Sequence, residues 1–527
     1  MNPYIKVEPM SKILTASCMR KLLASLCLIG SGVLLSSCGG GGAAALAGVG
    51  SGGTGLVQGL VVGFGSVFID GKEYTTTSAT IQQDDDQGQA QNALLKLGER
   101  VQATIDSTGT AVVTATVIPS LSGPVTLAAS ADASGDLWAK VNGQWIRIVT
   151  SATHTPLGLT TVLAGVNNVG ATLSPNLAVG NEVEVHGVWT WTQVPANGYS
   201  YVLVASRVEV LPATASNNNI LLGGVVVALP TNNQVTLNAA SGGITLQGTL
   251  PSGLAVGQSV SAWVTRAAWN NWVNAGGNTP LTPLTLSIAS LTPTTGSTNK
   301  QAQLSGLVSN YNAAAHTATV QGTLVTLPAG TSVADGDYIR LTGQAGTGTL
   351  SQTTVDDERS ATSSVTAQTI KVQGTTNGIN WSAGGTINFV LQSTSVTAAP
   401  GTYSDALLPC TGYTSSNTVY VVVKGQVPAP GQPVVADSVT CSVTPPSDSV
   451  TDFHGTIQSV DTAHNTLSLI NDGKVLTVGW TATTFVDPAL VALGNWIGQG
   501  VEVMGSLSGT SAMTATVIRL DSGGTND

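Results

Sequence analysis

VQGLVVGFGSVFIDGKEY, residues 57–74, continues through Gly98-Glu-Arg-Val101-Gln-Ala103-Thr-Ile105 to Thr114-Ala-Thr-Val-Ile118, and this order of landmarks decides the fold. The first landmark is an apolar residue, a glycine two later and an aliphatic two after that. It stands at Val57-Gly59-Val61 and returns at Leu121-Gly123-Val125, Leu222-Gly224-Val226, Leu304-Gly306-Val308 and Phe453-Gly455-Ile457. Period two marks a strand, and a glycine on its inward side marks the bend of a small barrel. The second landmark is a hairpin turn, Asp70-Gly71, with counterparts Asn142-Gly143, Gln321-Gly322 and Asp472-Gly473 between alternating apolar residues. Glycine accepts the positive φ that such turns demand.

The third landmark is the most regular. Gly98, Gly180, Gly257, Gly336 and Gly498 each precede an aliphatic by three, at Val101, Val183, Val260, Ile339 and Val501. The last is an alanine with an aliphatic three on, as in Ala115 with Ile118, Ala205 with Val208, Ala367 with Ile370, Ala436 with Val439 and Ala515 with Ile518. Each unit therefore reads as one strand, a two-stranded hairpin, a variable loop, a fourth strand and a closing strand. Five strands in so short a unit is the size of an OB-like barrel.

The fold class expected is all-β, with about six tandem five-stranded OB-like barrels after a signal peptide and a flexible linker. The boundaries are 1–37 for the signal, 38–55 for the tether, and 56–120, 121–212, 219–293, 302–374, 380–446 and 449–521 for the repeats. The fifth repeat is divergent, and its opening is read at Gly385-Thr-Ile387.

These tandem units resemble a bacterial domain-of-unknown-function family, 5666, whose members are often lipid-anchored and carry several copies. The shared motifs are turns and core positions, so the resemblance implies a fold and a lipid anchor and brings no catalytic residue.

Composition agrees with export. Charged residues are 9% of 527 while 42% are hydrophobic, so Ser, Thr, Asn, Gln and Gly must carry the surface. The net charge of -10, with no Lys/Arg block beyond the first 21 residues, removes the footprint of nucleic-acid binding. Lys12, Arg20 and Lys21 precede an apolar run from Leu22 to Leu35, shorter than a membrane span of about 20 residues. It ends Leu35-Ser-Ser-Cys38, which resembles the bacterial lipobox and implies cleavage before Cys38 and lipidation there; Met1 and Met19 are both candidate starts. With Gly39 following, the resemblance points to the outer membrane of a Gram-negative cell, on its periplasmic or its outer face. Residues 39–55 are almost wholly Gly, Ala and Ser, a flexible tether, and their formal G-x-G-x-x-G at Gly48, Gly50 and Gly53 lacks the strand and helix of a dinucleotide site.

Cys18 and Cys27 fall in the signal. Cys410 and Cys441 remain as a pair in an oxidising compartment, and a disulfide between them would contribute roughly 3.5 kcal/mol on the loop-entropy model. Two free thiols or a metal pair is the other reading.

No catalytic motif, cofactor site or zinc spacing occurs among the five histidines, and the chain reads as a non-enzyme with no cofactor and no metal. Glu182, Glu184 and His186 alternate on one strand face, either a metal or acid–base site or the solvent face of a barrel strand. Asp84-Asp-Asp86 and Asp356-Asp-Glu358 are read as acidic loop tips rather than calcium loops. Of the ten tryptophans, Trp189, Trp191 and Trp263 fall at inward strand positions. Trp269 and Trp272, in RAAWNNWV, either stack sugars or cover a barrel end or an inter-domain seam.

The function expected is a lipid-anchored, non-catalytic scaffold or binding protein of the cell envelope. Its partners are the membrane, through the lipid, and an envelope glycan or another envelope protein. Glycan binding through Trp269 and Trp272 is the alternative, and a hydrolase with a site between repeats is the second.

Overall fold

The computed structural model describes residues 55–520 except 65–66, 70–71, 77–78, 86–88, 107–108, 166–176, 196, 213–217, 239–242, 290, 292–299, 361–366, 377–378, 382–384, 392–393, 401–418, 443–449, 472–473, 483 and 508–511. The chain divides into Met1–Ala45 and Leu46–Asp527, and all described residues belong to the second unit. The Cys38 attachment site, Cys410, Asp70-Gly71 and Asp472-Gly473 lie outside them.

The fold is all-β. In the second barrel, Leu121–Ala131 pairs antiparallel with Leu137–Val141, which pairs with Gln144–Ile148. That strand runs parallel to Gly198–Val210, whose antiparallel partner Glu182–Val194 returns to the first strand. The order 1-2-3-5-4-1 closes a five-stranded barrel of the OB-like kind. Barrels four (Lys300 to Arg359) and six (Val450 to Leu520) repeat it, each with its third and fifth strands parallel. Among the described residues barrel one closes through the parallel bridge of Thr75 with Ala111, beside which Thr80–Asp84 also runs parallel to the closing strand, and barrel three closes through Leu246 with Leu281.

One turn explains why the third landmark is so regular. Gly98, Gly180, Gly257, Gly336 and Gly498 all have φ between 83° and 94°, where a side chain is strained. In these five barrels the glycine N–H donates to a carbonyl of the opening strand, and the N–H of that same opening-strand residue donates to the carbonyl of the residue after the glycine. The pairs are Gly98 with Val61, Gly180 with Val125, Gly257 with Val226, Gly336 with Val308 and Gly498 with Ile457. Each partner is the aliphatic two after the opening glycine. The first and third landmarks are thus two halves of one clamp.

The fifth barrel corrects its expected boundaries. Its opening strand is Ile370–Thr376, which pairs along its length with Val419–Gln426, rather than a strand at Gly385. Ile370 therefore opens barrel five and does not close barrel four, whose last strand is Thr349–Arg359. Gly374 has φ 155°, matching Gly123, Gly224 and Gly306 at 148° to 157°. The motif Val372-Gln-Gly374 repeats Val57-Gln-Gly59, but polar Thr376 stands where the pattern asks for an aliphatic.

The barrels interlock. The opening strand of barrel one, Gly55–Phe64, runs parallel to that of barrel four at Leu56 and Ala302 and to that of barrel five at Gly63 and Lys371. Barrels two and three meet at Ser122 and Leu221. Leu60, Val149, Val188, Val204, Leu307 and Tyr338 form an apolar cluster shared by barrels one, two and four. Among the described residues no helix is long and apolar enough to cross a membrane.

Candidate functional site

On the strand Glu182–Val194, Val183 and Val185 enter the second barrel's core, as alternation requires. The opposite face is not solvent, contrary to the surface reading of Glu184 and His186. It packs on barrel one, and the His186 side chain is wholly buried. The ring Nδ1 of His186 accepts the Arg100 backbone N–H at 3.4 Å, which leaves Nε2–H to donate to Glu184 Oε1 at 3.0 Å. The other Glu184 oxygen accepts from Gln83 of barrel one at 2.8 Å. Both ring nitrogens are committed, and neither faces open space.

Around this pair lies a charged seam. Arg207 of barrel two donates to Glu209 at 2.8 and 3.1 Å and to the Leu97 carbonyl of barrel one at 3.1 Å. Lys96 of barrel one reaches Glu209 at 2.9 Å. Burial opposes the Glu209 charge, but Arg207 and Lys96 outweigh it and hold the carboxyl at about 2. Glu99, with no exposed surface, takes the Lys96 N–H on one oxygen, while its other oxygen has no hydrogen-bond partner among the described residues. Burial pushes its pKa up, against the pull of His186 and Arg207.

Arg100 carries the seam to two further barrels. Its guanidinium donates to Gln321 Oε1 at 2.8 Å, to the Gln321 carbonyl at 3.2 Å and to the Ala289 carbonyl. Burial lowers its pKa to about 10, which still leaves it charged at neutral pH. Gln321 reaches this position because its hairpin turn has φ 46° and because Gly306 leaves room: a Cβ there would lie 2.6 Å from the Gln321 side chain. Asn142 uses the same device at Gly123, with its amide bridging Ser122 to Leu221 of the next barrel at 2.9 and 3.1 Å. The opening glycine and the hairpin carboxamide are thus a joint between barrels, a role that reading the landmarks singly does not show.

The remaining candidates are structural in their surroundings. Glu182 forms a bidentate pair with Arg266 of barrel three at 2.8 and 2.9 Å. Asp356-Asp-Glu358 lies in a closing strand rather than a loop tip, with Thr342 on Asp356 at 2.6 Å and Arg359 on Asp357 at 3.1 Å. Among the described residues no three metal-ligating side chains converge. Asp84 ends a short strand, its pKa raised by burial and then by Asp85. His154 pairs with Asp136 at 2.8 Å, and His464 with Asp461 at 2.6 Å in an exposed turn. The side chain of His454 lies outside the described residues. A surface cleft of about 650 Å³ on barrel four holds one carboxylate, Glu358, and no histidine.

Trp269 and Trp272 lie on a nine-residue helix, Arg266–Asn274, rather than a loop. Thr265 caps it by accepting the Ala268 N–H at 3.1 Å, and Gly276 and Gly277 end it with positive φ. The rings stack at 4.9 Å, but Trp269 is 3% exposed and plugs the third barrel's core, so it offers no face to a sugar. Trp272 packs against that plug and donates to the Thr279 carbonyl at 2.6 Å. Trp189 is core and Trp191 packs against the same core. Trp263 instead alternates outward from Ala262 and Val264 and is half-buried.

Sequence reading missed Lys96, Glu99, Arg100, Arg207 and Glu209. The available signal was scarcity: in a chain with 9% charged residues, Glu99 and Arg100 stand adjacent where the turn at Gly98 enters its strand. No protein-family model matches the chain, and no curated protein matches it.

Proposed function

We propose that the chain is a lipid-anchored protein of a Gram-negative outer membrane, held through Cys38, whose barrels form a non-catalytic scaffold or binding body. The observation that carries the scaffold reading is the seam: His186, Arg100, Arg207 and Glu209 are spent on neighbouring barrels. Such buried pairs are poor sources of net stability but fix one arrangement, which suits a body whose job is relative placement. Cys410 and Cys441 form the proposed staple of barrel five, supported by the disulfide-bonded state of the fully buried Cys441.

Two measurements test this. Cells fed a fatty-acid analogue should label the chain, and Cys38→Ala should abolish the label; an unlabelled mature chain refutes the anchor. Limited proteolysis should protect one fragment running from Gly55 to about Ser442, because barrels one to five share buried charges and strand pairs. Release of separate barrels would refute the rigid body.

A further inference from the structure

The opening strands differ in what their second face does. In barrels one and three the strand is a nearly unbroken apolar run, GLVQGLVVGF at Gly55–Phe64 and NILLGGVVVA at Asn219–Ala228. In barrel six it is interrupted by polar residues throughout, VTDFHGTIQSVD at Val450–Asp461. A strand that is apolar on both faces must be covered on both. One face fills its own barrel, through Val57 and Val61 in barrel one and Leu222 and Val226 in barrel three. The other face is given away. Val225 of barrel three lies in the core of barrel two, Leu56 of barrel one in that of barrel four, and Phe64 of barrel one in that of barrel five. Among the described residues the cores of barrels one, three and six contain no side chain from another barrel.

Barrel five receives two buried side chains from barrel one, Phe64 and Leu97, each 2% exposed. They come from separate elements. Phe64 ends the opening strand and is set opposite Val372 by the parallel pairing of Gly63 with Lys371, where a Cβ on Gly63 would collide with the Lys371 carbonyl. Leu97 belongs to the clamp turn Leu97-Gly98-Glu99. Barrel two fixes that turn, since the Gly98 carbonyl accepts Ser206 Oγ at 2.6 Å and the Leu97 carbonyl accepts Arg207. Lys371 of barrel five returns the contact, its ammonium 3.5 Å from Glu73 and 5.0 Å from the centre of the Phe68 ring. Barrel five has little core to spare. Phe64 and Phe389 are the two aromatic side chains in its buried cluster, and one of them is borrowed. Polar Thr376 stands where the other barrels have Val61, Val125, Val226, Val308 and Ile457. A barrel of fewer than about 80 residues is marginal on its own core.

We infer that barrel one is a latch on barrel five: barrel five stays folded only while Phe64 and Leu97 fill its core, and barrel one keeps its fold when barrel five opens. The dependence runs one way, because neither side chain belongs to the core of barrel one. Withdrawing them opens barrel five at strands some 300 positions further along the chain and leaves barrels one and six as they were. The inference does not rest on the lipid anchor.

The test is hydrogen exchange read by mass spectrometry on the full chain, with Val419–Gln426 reporting barrel five, Arg100–Ile105 barrel one and Gly500–Leu507 barrel six. Leu97→Ala should speed exchange in Val419–Gln426 by about thirtyfold or more and leave the other two strands unchanged. Phe64→Leu, a milder truncation in a different element, should give a smaller rise in the same strand, and decides the matter where Leu97→Ala loses protection throughout. Leu391→Ala, inside barrel five, should speed Val419–Gln426 and leave Arg100–Ile105 protected. Exchange in Val419–Gln426 unmoved by both barrel-one variants overturns the inference. So does a Leu97→Ala rise confined to barrel one, or a Leu391→Ala chain in which barrel one loosens as much as barrel five, which would make the two a single mutual unit.

Discussion

The clamp turns of barrels one and two have the same backbone and opposite surroundings. Leu97-Gly98-Glu99 and Val179-Gly180-Asn181 share φ values of 83° and 91° at glycine, and both bond the opening strand. Each is braced by its own side chain, Glu99 accepting the Lys96 N–H at 2.8 Å and Asn181 accepting the Ala178 N–H at 2.9 Å. Yet Leu97 is buried in another barrel while Val179 is 65% exposed, and a Cβ on Gly180 would meet nothing. Local sequence determines the turn. What the turn touches is set by residues about a hundred positions away, Ser206 and Arg207.

The largest break in that contrast comes from the seam side. Arg207→Ala should cost about 3–5 kcal/mol in urea unfolding, because it leaves Glu209 buried against Lys96 alone and strips a donor from the Leu97 carbonyl. Arg266→Ala breaks the partly exposed pair with Glu182, which among the described residues holds no main-chain carbonyl of a neighbouring barrel, and should cost about 1 kcal/mol or less. Equal losses would mean that the seam is no more consequential than a partly exposed pair.

A finer cut uses the glycines themselves. Gly180→Ala should cost about 1 kcal/mol, the strain of a side chain at positive φ. Gly98→Ala carries the same strain and also drives its methyl against the Ser206 carbonyl, adding about 1–3 kcal/mol of overpacking. If the two variants melt together, the docking of the first turn is looser than the structure has it.

These contrasts also say what sequence can show. The strands, the clamp glycines and the outline of most units follow from period-two patterning and from positions where φ must be positive, both local properties. The opening of barrel five was hidden because Thr376 replaced an aliphatic, although Gly374 keeps the conformation. The Trp269 helix was hidden because tertiary burial of one face outweighs a short stretch's weak helical pattern, though Thr265 and Gly276-Gly277 mark its ends. The partners across the seam could not be read, since nothing in an alternating Glu184 and His186 says whether water or another barrel faces them.

A last contrast separates the two seam carboxyls by the sign of their pH response. Glu209 is held at about 2, below its unfolded value of 4.5, so its contribution of up to about 3 kcal/mol is present at neutral pH and is lost as pH falls from 4.5 toward 2. Glu99 is shifted the other way by burial, so the folded state binds its proton more tightly than the unfolded chain does. Its ionisation therefore erodes stability as pH rises above 4.5, and mild acid restores what neutral pH removes. Glu99→Gln should flatten the stability profile just above pH 4.5 and leave the acid limb below it unchanged, whereas Glu209→Gln should flatten the acid limb. The two slopes, read from urea midpoints across pH, then report on opposite ends of one seam: Glu99 in the clamp turn of barrel one and Glu209 in the strand of barrel two that receives it. An acid limb unmoved by Glu209→Gln would mean that Arg207 and Lys96 do not hold that carboxylate in the folded protein.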